Sequence, residues 1–143
     1  FNNNMKNFEE YLKTGFVKTR KGNIARVKSI LEEADKRLKF FNAMQISEES
    51  ANYIIENMYD VIRELIEAKM LLDGYKSYSH EATVLYLKKL GFSSSEVEFM
   101  DELRDIRNHT KYYGHLVNSE YAKKVSEFVN KAYPKLMGLI KID

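Results

Sequence analysis

Arg104, Arg107, Asn108, His109, Lys111 and Tyr112 lie within one nine-residue stretch, the densest group of chemically versatile side chains in the sequence. Guanidinium groups pair bidentately with phosphate oxygens, and an imidazole exchanges a proton near neutral pH. Side chains of these types suit gripping a phosphate and moving a proton beside it. They belong to the segment SSSEVEFMDELRDIRNHTKYYGH, from Ser93 to His115. Ser93 and Glu96 have the spacing of a capping box, and Gly114 stands where a helix can stop. At 100° per residue, Phe99, Leu103, Ile106, Thr110 and Tyr113 share a face predicted to turn inward. Arg104, Arg107 and Lys111 cluster on a neighbouring edge, with Asn108 beside Arg104. His109 falls on the opposite flank, one turn after Asp105, which can orient it by a hydrogen bond. Asp101, Glu102 and Asp105 are also spaced to pair with Arg104 and His109 as an ordinary salt-bridged surface. The residues alone leave both readings open.

The surrounding elements read as helices. A short one is expected over about Lys6 to Thr14, followed by a basic connector, Lys18 to Gly22, whose Lys18, Arg20 and Lys21, with Arg26, can touch phosphate or simply face solvent. Ile24, Val27, Leu31, Ala34, Leu38 and Phe41 step by three and four, predicting a helix packed along one face. Ile46 and Ser47 read as the entry to the next helix, with Glu48 and Glu49 complementing its positive end. That helix, through Ile54, Met58, Val61, Leu65, Ala68 and Leu72, is apolar over a wide arc, because Ile55, Tyr59, Ile62, Ile66 and Met70 widen the stripe. It is therefore predicted to be central, and to end at Asp73-Gly74. A short polar link, Tyr75 to Ser79, leads to a compact helix from His80 to Leu90. Ser79 is its cap, Val84 and Leu87 point inward, and Gly91 is its stop. A histidine at such a helix start is more often structural than catalytic. Asn118 or Ser119 starts the last helix, with Tyr121, Val125, Phe128 and Ala132 on one face. Pro134 is expected to kink or end it. The fold class is thus all-α, an antiparallel helical bundle of four long helices plus one or two short ones, as a single domain over residues 5–143. Met5 reads as a natural start, with residues 1–4 an appended or disordered tail.

Composition narrows the chemistry. Cysteine is absent, which removes thiolate nucleophiles, disulfides and sulfur-ligated zinc. One proline and six glycines are few for an all-β domain. The net charge of +2 gives no global positive field, so any nucleic-acid contact must use a local patch. Ten tyrosines and eight phenylalanines serve either packing or base stacking. No apolar run is long enough for a membrane span and no leader is visible, so a cytoplasmic protein with no membrane contact is expected. No glycine-rich phosphate loop and no metal-ligand spacing stands out, so neither metal nor cofactor is expected.

The segment ELRDIRN, followed by a short spacer and an aromatic or histidine, resembles the signature of HEPN domains, helical domains associated with nucleic acids. That signature is an arginine, usually followed by a polar residue, then four to six residues and a histidine. The long helix through Lys69, Leu72, Asp73 and Gly74, leading to a helix start at Ser79-His80 with Val84 and Leu87, is similar to the family's second and third helices. Two registers fit. Arg104 pairs with His109 at the family's spacing but is followed by Asp105; Arg107-Asn108 matches the arginine and polar residue but puts Tyr112 at the histidine position. The resemblance implies a metal-independent endoribonuclease acting as a homodimer, often the toxin half of a pair with a minimal nucleotidyltransferase. In that role Arg104 and Arg107 hold phosphate, with Lys111 on the same basic edge, Asn108 orients the substrate or a partner side chain, and His109 transfers the proton. Tyrosine, with an ordinary pKa near 10, is a poor base at neutral pH. The Tyr112 register therefore implies a non-catalytic module that binds RNA, a nucleotide or a nucleotidyltransferase partner. In some family pairs a tyrosine near the motif is adenylylated, which Tyr112 or Tyr113 could mirror. A purely structural helical adaptor is the third reading.

Overall fold

The computed structural model of the chain describes residues 7–109, 114 and 117–142. Asn7 caps α1 (Phe8–Lys13), accepting from the Glu10 amide at 3.0 Å, and Phe8 and Tyr11 are buried. Asn23 does the same for α2 (Ile24–Ala43), whose Val27, Ala34 and Leu38 enter the core while Ile24 at its start stays exposed. The apolar arc of α3 (Ala51–Leu72) is buried along its whole length, Ile54, Ile55, Met58, Tyr59, Ile62, Leu65 and Ile66 among it. It packs against α2, α4 (His80–Lys89), α5 (Ser94–Asn108) and α6 (Ser119–Leu139), so it is the central helix its sequence predicts. Four long helices and two short ones make the described residues a predominantly helical bundle. Among them no helix is long and apolar enough to cross a membrane.

Gly74 ends α3 at φ +92° and Gly91 follows α4 at φ +88°, conformations that side-chain-bearing residues rarely adopt. Ser79 caps α4 by accepting from the Ala82 amide at 3.2 Å. Ser93 accepts from the Glu96 amide while the Glu96 carboxylate accepts from the Ser93 amide, so the expected capping box starts α5.

Several elements differ from expectation. Lys18–Gly22 and Tyr75–Ser79 are not merely connectors, because β1 (Val17–Thr19) and β2 (Tyr75–Ser77) pair as a two-stranded antiparallel sheet. Each strand is too short to display alternation, and the pairing spans much of the chain. Ser47 accepts from the Ser50 amide as a cap would, but one hydrogen-bonded turn precedes the regular start of α3. Glu48 has a further partner beyond the start of α3. It accepts from the Ser119 amide at 3.2 Å, joining the entry of α3 to the start of α6. Helix α6 is not ended by Pro134 but runs on to Leu139. Pro134 and Asn130 are both exposed, so the carbonyl deprived of its amide partner is on the solvent side. Finally, α5 ends at Asn108 instead of reaching Gly114. The His109 amide is shared between the Asp105 and Ile106 carbonyls, at 3.0 and 3.3 Å, which tightens the last turn. Thr110 and Tyr113, assigned to its core face, lie outside the described residues, as do residues 1–4.

Candidate functional site

Helix α5 is pinned by Val97, Met100, Leu103 and Ile106, all buried against the bundle. This fixes the two arginines in different surroundings. Arg104 turns to Asp101, one turn earlier, with Nε donating to Oδ1 at 2.9 Å. The Asp101 side chain is 1% exposed and that of Arg104 17%, so the pair is largely withdrawn from water. Burial works against the Arg104 charge, but the hydrogen bond and charge of Asp101 outweigh it and hold the guanidinium above its ordinary range. Tyr59 of α3 is buried nearby, and burial pushes its phenol up against the opposing pull of Arg63 and Arg104. Tyr11 of α1 is raised likewise, by burial and then by its hydrogen bond to Glu81 of α4. Tyrosines, acids and Arg104 from four helices thus form a polar knot inside the bundle. Among the described residues, the Tyr59 hydroxyl and Asp101 Oδ2 are buried without a hydrogen-bond partner.

Arg107 points elsewhere. Its Nη2 approaches Asp60 Oδ2 of α3 at 3.8 Å, and its side chain is 37% exposed. Asp60 also faces Arg63, at 3.4 Å, and Arg63 donates to Glu67 at 3.0 Å. Arg37 of α2 donates to Glu64 at 2.7 Å, so an ion-pair chain crosses from α2 over α3 to the end of α5. His80, at the start of α4, feels the same cluster. Partial burial lowers its pKa first and Arg63 next; Glu67 and Asp60 oppose this, and Arg107 lowers it further.

His109 is the C-cap of α5 and its side chain is 52% exposed. Its Nδ1 lies 3.1 Å from both the Asp105 carbonyl oxygen and Asp105 Oδ1. Both are acceptors, so Nδ1–H is the donor, and in the neutral form of a ring held this way the lone pair is on Nε2. An imidazole so oriented is set up to accept a proton on Nε2. The expectation that Asp105 orients His109 is met.

The other predicted residues divide. Asn108 is exposed at the last position of α5. Lys111 and Tyr112 lie outside the described residues. Arg104 does not stand with Arg107 as a two-guanidinium clamp, because Asp101 holds the one and Asp60 faces the other. The pairs expected of an ordinary salt-bridged helix surface are present for Arg104 with Asp101 and for His109 with Asp105, while Glu102 accepts from Tyr121 of α6 and Arg107 faces α3. Asp60, Arg63, Glu67 and His80 were not candidates in the sequence. The signal was present in the 60, 63, 64, 67 spacing, a polar stripe along one side of an otherwise apolar helix. Among the described residues no group of three or more histidines, cysteines and acids is placed to hold a metal ion.

No family model matches this chain, and no curated protein and no solved structure matches it.

Proposed function

We propose that the end of α5 is the phosphate-handling site of a HEPN-like protein that cleaves RNA without a metal ion. The observation that carries the reading is the Asp105–His109 pair at 3.1 Å, two residues from the half-exposed Arg107. In this reading His109 Nε2 accepts the proton of a ribose 2′-hydroxyl, whose oxygen attacks the adjacent phosphorus. The bond from phosphorus to O5′ breaks and O5′ takes up a proton, leaving a 2′,3′-cyclic phosphate and a 5′-hydroxyl. Arg107 neutralises the phosphate charge that grows in the transition state, Asn108 orients the substrate, and Lys111 adds a phosphate contact. Arg104, engaged by Asp101, fixes the turn from which Arg107 projects and is a positioning residue. A homodimer completes the site with the same groups from a second copy, and a nucleotidyltransferase is the proposed protein partner in the cytoplasm.

A second reading, a module that binds RNA or nucleotide without cutting it, is favoured by the withdrawal of Arg104 into its pair with Asp101. In that reading Tyr112 stands at the histidine position and no base is required. One incubation separates the two. Single-stranded RNA kept with the protein in EDTA is expected to shorten into fragments with cyclic phosphate ends, while DNA of the same sequence survives. RNA that is bound but intact supports the second reading; RNA neither bound nor cut overturns both.

A further inference from the structure

The two-stranded sheet buries Val17, leaves Lys18 and Thr19 exposed, and keeps Tyr75, Lys76 and Ser77 half-buried. Register places Val17 opposite Ser77 and Thr19 opposite Tyr75, with Val17 buried and Tyr75 packed edge-on to Phe8. Side chains alternate along a strand, so the intervening residues face the other way. Lys18 is opposite Lys76 there. The ladder continues beyond both ends of the strands: the Tyr78 amide donates to the Phe16 carbonyl at 2.6 Å, and the Arg20 amide to Gly74 at 2.8 Å. The outer face therefore carries Phe16, Lys18 and Arg20 on one strand and Lys76 and Tyr78 on the other, over about 13 Å.

Two features of this face are out of place in an ordinary surface. Like charges directly opposite across a ladder are destabilising, yet Lys18 and Lys76 are so placed. Among the described residues no carboxylate lies within ion-pairing distance of Lys18, Arg20 or Lys76. Phe16 and Tyr78 are also two of five large apolar side chains left exposed, at 47% and 52%. Lys18 Nζ stands 5.4 Å from the centre of the Tyr78 ring. Cations interleaved with accessible rings match a strand of nucleotides, whose phosphates and bases alternate in the same way. A membrane-binding face has a different plan, a continuous apolar side bordered by cations.

We propose that the outer face of the β1–β2 ribbon binds single-stranded RNA, with Lys18, Arg20 and Lys76 at phosphates and Tyr78 and Phe16 stacked on bases. The identity of the polyanion rests on the RNA reading above, but the surface is separate from the end of α5. The test uses a fluorescein-labelled, uncleavable 2′-O-methyl oligouridine titrated with the whole protein. Lys18→Ser/Lys76→Ser is expected to weaken binding at least about tenfold and to lower the salt slope by roughly 1.4, two phosphate contacts on a single strand. Tyr78→Ala is expected to weaken binding roughly tenfold. The lysine variant relieves a like-charge pair, so its Tm is expected to hold or rise, which separates lost binding from lost folding. A lysine variant that binds as tightly as the parent overturns the proposal, as does a parent chain that binds phosphatidylserine vesicles but not the oligonucleotide. Tight, patch-dependent binding with no cleavage in any condition supports this surface and counts against the cleavage reading alone.

Discussion

Asp101→Ala is expected to destabilise the fold by about 3–5 kcal/mol, a fall of roughly 10–15 °C in Tm. The substitution leaves the Arg104 guanidinium largely buried beside Tyr59 with its 2.9 Å partner gone. Exposed ion pairs contribute little, but here the carboxylate is 1% exposed, and stranding one member of a buried pair is costly. Replacing both partners, as in Asp101→Leu/Arg104→Met, removes the stranded charge and is expected to recover most of the loss. Urea denaturation followed by circular dichroism measures both. A loss below about 1 kcal/mol for Asp101→Ala would show that the pair does not anchor α5.

The other large effect is kinetic. On the proposed reaction, His109→Ala is expected to slow RNA cleavage in EDTA by about 10²–10⁴-fold, the range for removing a general base. The side chain caps an exposed helix end, so Tm is expected to change little. The Asp105→Asn variant is informative beside it. The Asp105 backbone carbonyl still receives Nδ1–H, so the tautomer is kept while the carboxylate is lost. A smaller loss than for His109→Ala is therefore expected. A His109→Ala protein that cuts at the parental rate would remove the imidazole from the chemistry.

What the sequence displayed well was local. The capping box at Ser93 and Glu96, the cap at Ser79, and the stops at Gly74 and Gly91 depend on residues within a turn of one another. The central place of α3 was visible because apolar side chains cover too wide an arc for one neighbour. Longer-range features were not. The β1–β2 pairing joins segments of three residues each, separated by two long helices, and neither strand carries a distinctive alternation. Helical geometry correctly put Asp105 under His109, and it correctly allowed Arg104 to reach Asp101. It gave no hint that Asp101 is buried, or that Asp60 on another helix faces Arg107. Projecting Arg104, Arg107 and Lys111 onto one edge suggested a joint clamp. Neighbouring helices decide which of those cations meets solvent, and a projection of one helix cannot contain them.

The division of labour between the two arginines is the central claim, and single-turnover cleavage by Arg107→Met and Arg104→Met in EDTA tests it most directly. Each rate is normalised to the folded fraction at the assay temperature. Arg107→Met is expected to cleave at least about 100-fold more slowly with a Tm close to the parent's, since in the proposed reaction its guanidinium acts at the transition state. Arg104→Met is expected to melt lower while its folded molecules keep a rate near the parent's. Parental cleavage by Arg107→Met, or abolished cleavage by a fully folded Arg104→Met, would contradict the account.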